Sequence, residues 1–188
     1  MTHPSKVLAI VTNYGVEQDE LLVPLRHLRE NGVHVDIAAP KRDDIRTLVG
    51  DKDPGETVRP THTLDEIEPS DYDLLLIPGG TINADTLRLR QEAVALVLAF
   101  TTSGRPVAAI CHGPWMLAEA GVAYGKRLTS YPSLRTDLAN AGANWTDESL
   151  VTDDANGWRL LTSRNPDDLD DFLRGIDSAL SARTGAAA

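Results

Sequence analysis

Short apolar runs alternate with amphipathic stretches along most of the chain. Val7-Leu8-Ala9-Ile10-Val11 contains no polar residue, as in a parallel strand covered on both faces. Asn13-Tyr14-Gly15 reads as a turn. A helix is expected over residues 17–31, with Leu21, Leu22, Leu25 and Leu28 at helical spacing and Gly32 just past its end. Residues 33–38 read as a second strand. Strand, helix and strand within about thirty residues form a βαβ unit, which implies parallel pairing and a right-handed crossover.

Residues 40–60 are polar and irregular apart from an apolar cluster at Ile45–Val49, and read as an excursion carrying a short hairpin or edge strands. A helical turn is expected at 64–69 and a buried strand at 72–77, ending in Pro78-Gly79-Gly80. Gln91–Thr102 reads as an amphipathic helix closed by Ser103-Gly104, and Val107–Ile110 as a further strand. A short strand at 126–130 precedes a helix over 133–141 that Gly142 stops. The apolar segments 150–153 and 158–163 flank Asn156-Gly157, a hairpin signal. Asn165-Pro166-Asp167-Asp168 opens the last helix, with proline and acids in the first turn. Its apolar stripe is Leu169, Phe172, Leu173, Ile176 and Leu180; residues 181–188 read as a frayed tail. Without repeats or an interdomain linker, residues 1–188 are expected to form one domain with its core over about 6–180. The alternation predicts an α/β three-layer sandwich around a mostly parallel sheet.

Composition narrows the function. With 41% hydrophobic and 24% charged residues over 188 positions, the chain has the make-up of a soluble globular domain with a substantial core. Its formal charge of −10 argues against nucleic acid or a membrane surface as partner, since both call for basic patches. Cys111 is the one cysteine, so no internal disulfide can form and a reducing compartment suits the chain. The N-terminus lacks a signal-peptide pattern and no apolar run approaches membrane-spanning length. The expected location is cytoplasmic.

Candidate chemistry collects at predicted strand ends. Cys111 lies between the run Val107–Ile110 and Gly113-Pro114, after which residues 115–120 read as a helix. A thiol on such a strand–helix elbow feels the positive end of the helix, is held exposed, and has free backbone N–H groups beside it. A buried core cysteine accounts for the same pattern. Glu17 and Glu20 are three apart on the first helix and share a face, where they could serve the thiol or simply favour the helix dipole. Gly79-Gly80 stands where parallel sheets place ligands. The backbone N–H groups of Gly80 and His112 could form an oxyanion hole. His112 follows Cys111 directly, and neighbours on a tight turn usually point apart. His3, His27, His34 and His62 show no metal-ligand spacing and read as surface residues. A dinucleotide fingerprint is missing after the first strand.

Taken together, these residues resemble the PfpI family (ThiJ/PfpI) of intracellular cysteine proteases and general stress proteins, within the class I glutamine amidotransferase-like superfamily. The matching segments are Val16-Glu17-Gln18-Asp19-Glu20-Leu21, Leu76-Ile77-Pro78-Gly79-Gly80, Ala108-Ala109-Ile110-Cys111-His112-Gly113-Pro114 and Leu128-Thr129-Ser130-Tyr131-Pro132, in the family's order. The resemblance implies a flavodoxin-like fold with Cys111 as nucleophile, Glu20 rather than His112 touching its sulfur, and Glu17 beside Glu20. It further implies an oxyanion hole at Gly80 and His112, and a pocket lined by Gly79 and Tyr131. Protease-like members complete the histidine with a carboxylate from a neighbouring subunit just after the glycine pair. Asp85 is the acid in that segment here, so a homodimer or larger homo-oligomer is implied. No metal or organic cofactor is called for. The activities implied are glyoxalase III-type conversion of methylglyoxal or deglycation of glycated protein; peptide hydrolysis through a Cys–His–acid triad and oxidant sensing by the thiol are the alternatives.

Overall fold

The computed structural model describes residues 5–186. Its centre is a seven-stranded sheet. In chain order its elements are β1 (Lys6–Ile10), β2 (Tyr14–Glu17), α1 (Gln18–Glu30), β3 (His34–Ala39), β4 (Ile45–Val49), β5 (Asp53–Val58), β6 (His62–Thr63), β7 (Leu74–Ile77), α2 (Thr81–Leu87) and α3 (Gln91–Thr102). There follow β8 (Val107–Ile110), α4 (Trp115–Glu119), β9 (Arg127–Leu128), α5 (Arg135–Asn140), β10 (Asn144–Trp145), β11 (Val151–Asp153), β12 (Leu160–Ser163) and α6 (Leu169–Ala186). The sheet order is β11-β12-β8-β7-β1-β3-β6, and the β11–β12 pair is its antiparallel one. This is the α/β three-layer sandwich that the alternation predicts.

Two apolar cores sandwich the sheet. Along β1, Val7 and Ala9 face the core shared with α1 and α6, while Leu8 and Ile10 face the core shared with α3 and α4. Every one of these side chains is fully buried, each larger one contributing about 1.5–3 kcal/mol. Strands buried on both faces must be apolar throughout, which is why the strongest runs in the sequence are the central strands.

The hairpin around Asn156 forms as expected, with Asn156 at φ 60° between β11 and β12. Lys126 clamps it from below: its buried ammonium donates to the carbonyls of Asp153, Ala155 and Trp158 and pairs with the Asp153 carboxylate at 3.2 Å.

Three expectations need correction. The stretch after β1 is no simple turn, because Tyr14–Glu17 forms β2, pairs with β4 and completes a small β2-β4-β5 sheet. Helix α1 consequently starts at Gln18, and Glu17 is its extended N-cap residue at φ −64°, ψ 123°. The tail over 181–188 is not frayed as far as it is described. Helix α6 runs on to Ala186, because each further residue of an established helix adds a hydrogen bond, while 187–188 lie outside the described residues.

Candidate active site

Strand order turns around at β1: β3 lies to one side of it and β7 to the other. Beyond the carboxyl ends of β1, β7 and β8 this leaves a crevice, where the first turn of α1 carries Glu20 and the loops after β7 and β8 carry Gly79-Gly80 and Cys111-His112. Cys111 adopts φ 61°, a left-handed conformation costing a non-glycine residue on the order of 1–2 kcal/mol. Its N–H donates to the Ser163 carbonyl and its own carbonyl accepts from Tyr131 N–H, at 3.0 and 2.8 Å, so neighbouring segments hold the elbow in place. The glycine pair is required sterically. A Cβ on Gly79 would lie 2.6 Å from Glu20 Oε2 and 2.8 Å from Cys111 Cβ, and one on Gly80 would run into the Gly15 carbonyl.

Around the sulfur the groups are tightly packed. Cys111 is 5% exposed and Glu20 wholly buried. Gly79 N–H donates to Glu20 Oε2 at 2.7 Å, while Glu20 Oε1 is buried with no hydrogen-bond partner among the described residues. Burial pushes the Glu20 carboxyl up from 4.5 to about 8, with the negative charges of Glu17 and Asp51 adding to it and the nearby Cys111 thiol and the Gly79 N–H opposing it. Glu20 is therefore mostly protonated at neutral pH and can donate a hydrogen bond to a thiolate. The backbone N–H groups of Gly80 and His112 act on the thiol itself, pulling its pKa down.

The sequence led us to expect an exposed thiol lowered by a helix. Burial first, and then any charge on Glu20, pushes the Cys111 thiol up instead. Helix α4 has only five residues and begins beyond Pro114, so its dipole offers little against that desolvation.

His112 does reach the sulfur. Its Nδ1 lies 3.2 Å from Cys111 Sγ, so the two neighbours on the elbow do not point apart. The imidazole stacks on Tyr131 at 4.8 Å between centroids and meets the edge of Trp115 at 5.4 Å. Burial holds the His112 pKa below its usual value, against a pull upward from Asp51. Its Nε2 is 3.3 Å from both Thr81 Oγ1 and Ser133 Oγ.

Thus Glu20, Gly79, Gly80, Cys111, His112 and Tyr131 come together, though His112 rather than Glu20 makes the hydrogen-bond contact with the sulfur, and two acids stay apart. Glu17 is buried but turns away from the sulfur: its carboxylate accepts from Gly50 and Asp51 N–H at 3.1 Å each. Asp85 is exposed on α2, and no hydrogen bond or ion pair within the described residues joins it to His112. The histidines read as surface residues divide. His34 is exposed, His27 is half-buried against Asp177 at 2.9 Å, His62 is half-buried beside Thr61, and His3 lies outside the described residues. No three metal-binding side chains cluster among the described residues.

Thr81, Ser133 and Asp51 were missed from sequence. Thr81 and Ser133 are small hydroxyls with no pattern to mark them. For Asp51 a signal was present: Val49-Gly50-Asp51-Lys52 is a tight turn with φ 62° at Gly50 and 59° at Asp51, and Gly-Asp suits such a hairpin turn.

Residues 5–178 match the model of the DJ-1/PfpI family. Deglycase PH1704 of Pyrococcus horikoshii is 38% identical over 169 residues, covering 90% of this chain and 95% of that protein. The putative cysteine protease YraA of Bacillus subtilis is 37% identical over 173 residues, covering 90% and 95%. Among solved structures, a two-domain protein from Anabaena variabilis with DJ-1/ThiJ/PfpI-like and ferritin-like domains superposes with a TM-score of 0.85 at 31% identity. It covers 94% of this chain, which spans 48% of that longer one. Relatives named as a deglycase and as a putative protease place enzymes among its kin, and no helix among the described residues is long and apolar enough to cross a membrane. On this evidence the chain is a member of the DJ-1/PfpI family.

Proposed function

We propose that the protein is a cofactor-independent enzyme acting on small reactive carbonyls through Cys111, by glyoxalase-type conversion of methylglyoxal or removal of early glyoxal adducts from proteins. The observation that carries this reading is the setting of Cys111: a residue 5% exposed, near the mostly protonated carboxyl of Glu20, with an imidazole nitrogen 3.2 Å from its sulfur. So little access suits a two- or three-carbon electrophile better than a peptide chain.

In this reading His112 Nδ1 takes the Cys111 thiol proton as the sulfur bonds to the aldehyde carbon. Gly80 and His112 N–H receive the developing oxyanion, and Glu20 O–H steadies the sulfur until the bond has formed. The imidazolium returns its proton to that oxygen, closing a neutral hemithioacetal. His112 then carries the C1 proton of the methylglyoxal adduct to C2 while the hydroxyl proton on O1 passes to O2, leaving a thioester and a secondary alcohol. Water hydrolyses the thioester to lactate and restores the thiol. The atoms balance as methylglyoxal plus water to lactic acid, with the redox change internal to the substrate.

The Sγ–Nδ1 contact also favours a second reading, peptide hydrolysis through an acyl-enzyme, which uses the same pair. Purified protein and its Cys111→Ser variant, incubated separately with methylglyoxal and with a fluorogenic peptide, distinguish the two. Lactate formed by the wild type and reduced to background in the variant is the expected result. Cys111-dependent peptide cleavage without lactate sinks the carbonyl reading. Turnover of neither substrate, with peroxide adding oxygen to Cys111, makes the protein an oxidant sensor.

A further inference from the structure

The carboxylate that completes His112 comes, we infer, from the same chain: Asp51, acting through the Thr81 hydroxyl, sets the imidazole so that Nδ1 is the free base facing Cys111. The inference rests on the reading of Cys111 as nucleophile and His112 as its base, and it identifies the residues that position that base.

Proton direction follows from the donor and acceptor inventory. Asp51 accepts twice from Thr81, Oδ1 from the backbone N–H at 2.8 Å and Oδ2 from the side-chain O–H at 2.7 Å. The Thr81 hydroxyl has a single proton, and Asp51 takes it. Toward His112, Thr81 Oγ1 can therefore only accept, which places a proton on Nε2 across the 3.3 Å contact. Ser133 Oγ lies equally far from Nε2 and can accept from it as well. With Nε2 protonated, the neutral ring keeps its lone pair on Nδ1, 3.2 Å from the sulfur. When Nδ1 takes the thiol proton, the imidazolium charge is balanced through Thr81 by Asp51.

Asp51 is itself held in place for this. Its turn joins β4 and β5, and the Glu17 carboxylate accepts the N–H of both Gly50 and Asp51. Glu17, expected at the sulfur, instead anchors the turn that presents Asp51. The ionisable groups facing His112 are Cys111 on its own elbow, Glu20 of α1 behind the sulfur, Asp51 of the β4–β5 turn, and Tyr131 stacked on the ring. Asp51 and Thr81 are positioning residues, and they make the histidine complete within a single chain.

Asp51→Asn is a sharp test because asparagine tolerates the left-handed turn position yet reverses the polarity. With its Oδ1 on Thr81 N–H, its amide would donate to Thr81 Oγ1, freeing the hydroxyl proton for His112 Nε2. The ¹⁵N spectrum of the His112 ring in full-length protein should show the Nε2–H tautomer in the wild type and a shift toward Nδ1–H in Asp51→Asn. Alkylation of Cys111 by iodoacetamide should fall about tenfold at pH 7 in Asp51→Asn, its pH profile moving up by about one unit as that factor implies. Thr81→Val should behave like Asp51→Asn, and Thr81→Ser like the wild type. A wild-type ring spectrum and alkylation profile in Asp51→Asn overturn the inference, as does Thr81→Ser behaving like Thr81→Val. Neither readout requires turnover: absent lactate formation with the expected tautomer shift refutes the carbonyl activity and leaves the positioning role standing.

Discussion

Replacing Glu20 by glutamine should change how stability depends on pH, in a direction the burial of the carboxyl dictates. The native carboxyl titrates at about 8 against 4.5 for the free group, so between these values the folded protein holds a proton that the unfolded chain has released. Glu20 therefore contributes most below pH 4.5, and its contribution is lost as pH rises towards 8. At 1.36 kcal/mol per unit, the wild type should lose about 4 kcal/mol relative to Glu20→Gln between pH 5 and pH 8. Glutamine is isosteric and neutral, and its carbonyl can still accept from Gly79 N–H, which keeps the comparison close to the loss of charge alone. The measurement is urea denaturation of both proteins across this range, plotted as a difference in unfolding free energy. A difference that stays flat would show that Glu20 ionises normally in the folded state, and the account of a protonated carboxyl beside the sulfur would fall.

Other consequences follow from separate parts of the structure. Lys126→Met leaves the Asp153 carboxylate and the carbonyls of Asp153, Ala155 and Trp158 without their shared ammonium; a loss of about 3 kcal/mol in urea denaturation is expected. Gly80→Ala places a side chain at φ 83° and against the Gly15 carbonyl, so melting should drop by roughly 4–8 °C for a cost of about 2 kcal/mol. Asp85→Asn should leave Cys111 alkylation and lactate formation unchanged within twofold. A large loss on that substitution, together with an oligomer by light scattering, would restore a carboxylate from a neighbouring subunit.

The central strands, α1, α3, the Asn156 hairpin and the cysteine elbow were all readable in the sequence, since burial on both faces and tight turns impose residue types locally. Less legible was β2, because Tyr14-Gly15-Val16-Glu17 is extended only by pairing with β4, some thirty residues later. Helix α2 carries one short turn of apolar residues, too little periodicity to mark it. At the site, Cys111, Gly79-Gly80 and Glu20 stood out, as did Tyr131 through the family pattern. Asp51 did not. It lies thirty positions before Thr81, which is itself thirty-one before His112, and only the folded β4–β5 turn brings the three together.

What the chain determined locally is the presence of a cysteine on a strand-to-helix elbow opposite a glycine pair, within a parallel α/β sandwich. Hydrophobic burial and backbone sterics act over a few residues, so their signatures survive in one dimension. The protonation of that site was decided only by the tertiary structure. Whether Glu20 keeps its proton, whether the thiol is raised or lowered, and which imidazole nitrogen faces the sulfur depend on desolvation and hydrogen-bond direction among distant segments. Those quantities exist only once the segments have met.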